Sequence, residues 1–278
     1  MDIPSVYIYC FARSGAAGGI GALDADCPGP VAVLERGKAA AVYRNVLPGE
    51  FSGEILGDGP RDRERVIRLA CHHERVVEGV MRCGPVIPVR FGTVLASAQA
   101  LESLLADQGD EIAGILDRLS EKDEWAVKGF VDAGRAGQWL LESDPALARR
   151  RRELPETAGA RYFCEKRLEA EVQKAVKLWA CAAAEDVCDN LMPHVLAECA
   201  LAVRSRDLTG RPEDMAFNLA FFVARNQVAA FRSQVAQIGA ARRDQGLLLE
   251  VSGPWPPYNF CLPVEARQDD PLGVLRSE

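Results

Sequence analysis

The sequence predicts an α+β protein of two domains, an N-terminal mixed α/β domain and a C-terminal ferredoxin-like domain with helical additions. Three observations carry that expectation. At 278 residues the chain exceeds the usual size of one hydrophobic core. Its 48% hydrophobic and 26% charged residues form an ordinary globular composition, able to fill a core in each half. After residue 122 the helix-like and strand-like segments follow the order β-α-β-β-α-β, the pattern in which two helices cover one face of a four-stranded antiparallel sheet. The expected boundaries are 1–122 for the first domain, 123–264 for the second, and 265–278 for a loosely ordered polar tail.

Val6-Tyr7-Ile8-Tyr9-Cys10-Phe11 is a β-branched and aromatic run, hence a strand, and it stops at a Gly/Ala/Pro-rich loop from Ala12 to Pro30. Val31 to Leu34 and Ala39 to Val46, joined across Arg36-Gly37-Lys38, read as a hairpin. Beyond the Gly- and Pro-rich stretch from Leu47 to Pro60, Val66, Leu69, Ala70, His73, Val76, Val77 and Val80 share one helical face, and that helix ends near Gly84. Pro85 to Val94 is apolar and β-branched, but its prolines demote it to an edge or irregular strand. A helix from Ala98 to Leu119 closes the domain.

In the second domain Glu124 to Val131 alternates as a strand, with Trp125, Val127 and Gly129 on one face and Ala126, Lys128 and Phe130 on the other. An Arg/Glu-rich region follows. Ala160 to Asn190 is then the strongest helix, striped by Leu168, Val172, Ala175, Val176 and Trp179. Leu196 to Val203 and Ala216 to Ala224 read as strands, Asn226 to Arg243 as a helix with Val228, Phe231, Val235 and Ile238 inward, and Leu247 to Val251 as the last strand.

Composition and motifs exclude several functions. A net charge of −7 and the absence of clustered basic residues, apart from Arg149 to Arg152 with acidic neighbours, argue against a nucleic-acid partner. No apolar run reaches the roughly 18 residues that span a bilayer, and no secretory leader is legible, so the expectation is a soluble cytoplasmic protein. Nine cysteines form no CxxC pair, and most lie among apolar residues, which reads as buried reduced thiols. Adjacent His72 and His73 point about 100° apart on a helix and cannot make the i, i+4 pair that grips a metal. One is expected to pack inward and the other to face water. His194 falls at a helix end, where it meets the dipole favourably. No nucleophile elbow, P-loop, zinc-protease or dinucleotide fingerprint occurs. The expectation is therefore no catalytic residue, no metal and no cofactor.

Two constellations stand out. Pro88-Val89-Arg90-Phe91-Gly92-Thr93 sets a guanidinium in an apolar strand, so that Arg90 needs either an internal counter-charge or a partner chain. Gly253-Pro254-Trp255-Pro256-Pro257-Tyr258-Asn259-Phe260 is stiffened towards polyproline II by three prolines and presents aromatic rings, which either cap the core or recognise a partner. The candidate partner-binding residues are Arg90, Phe91, Trp255, Tyr258 and Phe260.

Together with Val6-Tyr7-Ile8-Tyr9, Trp125-Ala126-Val127-Lys128, Gly159-Ala160-Arg161-Tyr162-Phe163 and Phe217 to Val223, these two blocks resemble the signature blocks of the gas vesicle protein F/L family, in the family's order from residue 6 to 260. Cys10-Phe11 departs from the glycine that more often follows the first strand. The resemblance implies a non-enzymatic accessory or minor structural protein. It would be gas vesicle associated and would act by binding the major shell protein and other gas vesicle accessory proteins during assembly. Readings of a different kind are a chaperone for the shell protein alone, or a ligand-binding or enzymatic protein using an interdomain cleft with Arg90 on an anion.

Overall fold

Strand β1 (Ser5–Arg13) is buried from Val6 to Ala12 without interruption. Continuous burial requires cover on both faces of a strand, and in the computed structural model of the chain β1 is indeed the centre of its sheet. The structure describes residues 5–16, 30–47 and 60–261. The loop residues after Ala16, the Gly- and Pro-rich stretch after Leu47 and the expected tail from residue 265 lie outside them.

Strand β2 (Ala32–Arg36) and strand β3 (Ala39–Val46) form the expected hairpin, turning at Gly37 with φ of 59°. Strand β3 runs antiparallel to β1 from Ser5↔Val46 to Arg13↔Ala39, with the register shifting between Ile8 and Cys10. Helix α1 (Pro60–Met81) follows, then the short strands β4 (Val86–Pro88) and β5 (Val94–Leu95), which both pair with β1. Helix α2 (Ala98–Leu119) has the expected bounds. It is capped by Ser97, whose hydroxyl accepts from the Ala100 amide, and it buries Leu101, Leu105, Ile112, Ile115, Leu116 and Leu119. The sheet order is β2-β3-β1-β4, with β5 also on β1.

Strand β6 (Lys122–Val131) opens the second sheet, which has the order β7-β8-β6-β9. The Arg/Glu-rich region holds two helices, α3 (Ala133–Ser143) and α4 (Pro145–Arg152). Their start signals are local: Asp132 caps α3, Asp144 caps α4, and Pro145 occupies the first turn of α4. Helix α5 (Ala158–Leu191) extends the expected helix by a few residues and buries Leu168, Val172, Val176, Ala183, Val187 and Leu191. Strand β7 (Ala197–Ala200) is half the expected length, and the short helix α6 (Arg206–Thr209) comes before strand β8 (Asp214–Ala224). Helix α7 (Val228–Arg242) turns Phe231, Val235 and Ile238 inward as its spacing requires, and strand β9 runs Leu247–Trp255. Both sheets are antiparallel, and the fold is mixed helix and sheet.

The chain divides into two compact units. The described residues up to Asp123 together with Trp255 to Cys261 form one, and Glu124–Pro254 form the other. The segment after Pro254, assigned by the sequence reading to the second domain, thus clusters with the first unit. Pro256, Pro257 and Cys261 are buried there.

Two expectations about single residues need correction. Both histidines of the adjacent pair are buried, His72 at 4% and His73 at 0% exposure. Of the cysteines read as buried, only Cys10 and Cys261 are so. Cys188 and Cys199 are intermediate, and Cys71, Cys83 and Cys181 are exposed, because Cys71 and Cys181 fall on the solvent faces of α1 and α5 and Cys83 lies in the turn after α1.

Gly129 shows how tightly the second core is filled. A Cβ at this position would lie 2.2 Å from the Phe217 ring, and that ring is itself buried. Gly129→Ala is expected to destabilise the protein by about 1–3 kcal/mol, the cost of overpacking. In urea unfolding, Gly129→Ala combined with Phe217→Leu should recover part of that loss; additive destabilisation by the two changes would refute the contact.

Candidate functional site

In the first unit, β1 and α1 bring together a buried polar cluster. Tyr7 and Tyr9 lie two residues apart on β1, and at this point of the strand both join the core shared with Val76, Val77 and Val80 of α1. The Tyr7 hydroxyl is 2.6 Å from Nδ1 of His73, and the Tyr9 hydroxyl is 3.0 Å from Nε2 of His72. The two phenol rings meet edge to face with centroids 4.9 Å apart. Each of the consecutive imidazoles finds a phenol at one nitrogen, which lowers the cost of turning both inward, while Nε2 of His73 is buried without a hydrogen-bond partner among the described residues. The guanidinium of Arg44 on β3, 1% exposed, sits 5.5 Å from the Tyr7 ring centroid.

Burial governs the ionisation of these groups. It holds the Tyr7 phenol well above its usual range, against the opposing pull of the Gly92 backbone and Arg44. It also pushes the His73 ring down from 6.5 to about 4, with the Val89 backbone opposing and His72 assisting. The ring is therefore neutral at physiological pH. Burial likewise raises the Cys10 thiol beyond its normal range.

The candidate residues from sequence separate around this cluster. Arg90 is not within a strand: Arg90 to Thr93 is a turn between β4 and β5, closed by the Thr93 amide on the Arg90 carbonyl at 3.2 Å. Gly92 supplies the positive φ of 92° that ends the strand, and Arg90 is exposed in consequence. Phe91 is 37% exposed and touches the cluster edge to face, at 6.4 Å from Tyr7 and 6.0 Å from His73. Tyr258 reaches the same helix from the other end of the chain, its hydroxyl donating to Glu74 Oε1 at 2.8 Å. Burial raises the Glu74 carboxyl, while the Tyr258 hydrogen bond opposes that rise. Phe260 is partly buried, and Trp255 is 39% exposed.

The structure thus joins Phe91 and Tyr258 through Tyr7, His73 and Glu74, and leaves Arg90 and Trp255 on the surface. Arg44, His72 and Glu74 were missed as members of the cluster. The Tyr-x-Tyr spacing on a strand and the helical phase of His73 were the available signals. Nothing in the sequence distinguishes Arg44 from any other strand arginine. Among the described residues no group of His, Cys, Asp and Glu could hold a metal ion, and no helix is long and apolar enough to cross a membrane.

This is an α+β protein with two antiparallel sheets, and the same fold is found in solved gas vesicle proteins. The crystal structure of GvpF from Anabaena sp. PCC7120 superposes with a TM-score of 0.62, covering 93% of this chain and 98% of that one at 18% identity. GvpF from Microcystis aeruginosa gives 0.58 over 92% and 98% at 19% identity. In sequence, gas vesicle protein F of Streptomyces sp. (strain CB03234) is 28% identical over 92% of this chain and 99% of its own length. Gas vesicle protein L of the same organism is 28% identical over 84% and 83%. The family profile described as gas vesicle synthesis protein GvpL/GvpF matches residues 5–262, and the chain belongs to that family.

Two outcomes follow from the cluster. The unfolded His73 ring titrates near 6.5 and the folded one near 4, so between these values the unfolded chain binds more protons. Stability should therefore fall as pH is lowered from about 6.5 to about 4, and His73→Phe should show a shallower fall in urea unfolding at a series of pH values; an unchanged slope would refute the assignment. Tyr258→Phe should cost about 1–3 kcal/mol, the scale of leaving the partly buried Glu74 carboxyl without its donor. A loss below about 0.5 kcal/mol would place that bond among contacts of no consequence.

Proposed function

We propose that this protein is a non-enzymatic accessory or minor structural component of gas vesicle assembly, gas vesicle associated in the cytoplasm, that binds the major shell protein and other gas vesicle proteins. The observation that carries the reading is the family match over nearly the whole chain, together with the gas vesicle names of its relatives. The structure supports it in a specific way. Its titratable groups in the first core are sealed among rings, whereas large hydrophobic side chains stand at the surface: Phe91, Tyr162, Phe163 and Trp255. Exposed aromatic residues are the type that anchors protein interfaces. The second unit's strand order, with the first and third strands central and the second and fourth at the edges, supports a ferredoxin-like reading of that unit.

The two alternatives for the proline-stiffened segment divide between its residues. Pro256, Pro257 and Tyr258 cap the first unit, while Trp255 presents its ring outward. In this reading Tyr258 holds the segment in place and Trp255, with Arg90 and Phe91, makes contact with the partner. Two of the prolines have their backbone fixed in a buried setting, so little ordering entropy opposes association.

The experiment is capture of purified major shell protein, and of each co-expressed gas vesicle protein, on the immobilised full chain. Trp255→Ala should weaken capture about thirtyfold, a hot-spot loss of about 2 kcal/mol, with melting temperature within a degree or two of wild type. No capture of any gas vesicle protein by the wild-type chain would overturn the proposed function. Undiminished capture by Trp255→Ala would overturn the role given to that residue.

A further inference from the structure

We propose that the outer edge of β9 is a docking site for an extended acidic segment of a partner protein, which joins the second sheet as a fifth strand. The inference rests on the reading that the chain acts by binding other proteins, and it specifies a surface and a chemistry for one of them.

Strand β9 is nine residues long and lies at the end of the sheet order, paired with β6 on one side only among the described strands. Such an edge is a template for another strand, and proteins normally blunt it with lysines, prolines or a covering element. From Leu247 to Gly253 β9 has none of the first two. A groove of about 970 Å³ runs beside it, at the upper end of the roughly 300–1,000 Å³ usual for binding pockets. Leu248, Leu249 and Val251 all line it. Alternate residues of a strand point to opposite faces, so a groove that touches both sets follows the edge and does not lie on one face.

The opposite wall is α7, and its composition explains why the edge is left uncovered. The large residues Phe231, Val235 and Ile238 are spent on the core. Beside Val235 and the long arginines Arg232 and Arg243, the groove is faced by Ala229, Ser233, Ala236 and Ala240, at a helical i, i+4, i+7, i+11 spacing, whose side chains are too short to close over the strand. At the floor α7 packs close to β9: a Cβ added at Gly239 would already be in van der Waals contact with Leu249, at 3.6 Å.

Charge selects the occupant. Within a chain of net charge −7, the groove is lined by Arg211, Arg232 and Arg243 against the single carboxylate of Asp244. Two of the guanidiniums are held by rings. Arg211 sits 4.3 Å from the Phe130 centroid, with Glu250 at 3.5 Å, and Arg232 sits 5.4 Å from the Trp125 centroid. A guanidinium stacked on a ring still offers N–H donors at its rim to a carboxylate. A strand alternating apolar and acidic side chains meets both requirements, with one set against Leu249 and Val251 and the other towards the arginines. A lysine-bearing strand meets repulsion there.

The test uses the full chain and fluorescent ten-residue probes read by anisotropy: alternating valine and glutamate, alternating valine and lysine, and the glutamate probe N-methylated at every second amide. The glutamate probe should bind at least tenfold more tightly than either of the others, because one control reverses the charge and the other removes the backbone donors. R232E/R243E should weaken the glutamate probe at least tenfold while leaving the melting temperature unchanged. If that double variant fails to fold, Ala240→Trp, which fills the groove from an exposed position, must give the same loss. Equal binding of the three probes, or no binding of the glutamate probe at millimolar concentration, overturns the inference. So does a dimer in sedimentation that R232E/R243E dissolves, since the occupant would then be a second copy. Capture of a gas vesicle protein by wild type and by R232E/R243E alike would sink this inference and leave the proposed function standing. Failure of wild type to capture any would sink the proposed function, with the probes still deciding the groove.

Discussion

The constraint on which the first unit depends is that four polar rings must be dry at once. β1 is the strand to which β3, β4 and β5 all pair, so any fault in its burial is felt across the sheet. Tyr7 and Tyr9 place two hydroxyls in that buried strand, and α1 answers with His72 and His73. Removing one member leaves its partner's polar atom buried and unsatisfied, a cost of about 1–3 kcal/mol. The cluster therefore fixes the register and approach of α1 on β1 more narrowly than a purely apolar contact would. The same rings give Phe91 and, through Glu74, the segment around Tyr258 their places. A cluster that resembles a catalytic grouping by residue type is better understood as a rivet.

The surface follows from what the cores have used up. In the second unit α5 buries Leu168 through Leu191 along one stripe, yet its first turns, including Tyr162 and Phe163, lie exposed. α7 divides its residues in the same way, with large apolar ones inward and small ones interleaved with Arg232 outward beside β9. A family named for the synthesis of gas vesicles, matched over residues 5–262, and a surface that retains aromatic rings and the β9 edge agree with the proposed role.

Much of the fold was legible because periodicity is a packing signal. The helix of α2 was readable to its bounds, as was the inward set of α7, since each repeats its large apolar residues at helical spacing. The two helices α3 and α4 were not, because Gly134, Gly137 and the run Arg149 to Arg152 dilute their apolar faces; only the caps Asp132 and Asp144 announced them. β7 was read too long because the apolar run continues to the β-branched Val203, while the register with β8 ends at Ala200↔Leu219 with one further bond from the Leu201 amide to the Asn218 carbonyl. At the candidate site, His73 could be placed by its phase on α1, but the partner it required was not. Pairing across 66 residues of sequence is decided by the fold and leaves no local trace. Arg90 was misplaced for a related reason: its neighbours are apolar, and the turn rests on Gly92 alone.

The central claim is that this chain works at its surface by touching other gas vesicle proteins while vesicles are being made. The most direct measurement is photo-cross-linking in cells assembling gas vesicles, with a photoreactive side chain introduced at position 91, 255 or 240 and the adducts identified by mass spectrometry. The account predicts adducts with the shell protein or another gas vesicle protein from these positions, and none from a position buried beside His73. Vesicles forming normally while every surface position yields no gas vesicle protein adduct would contradict it.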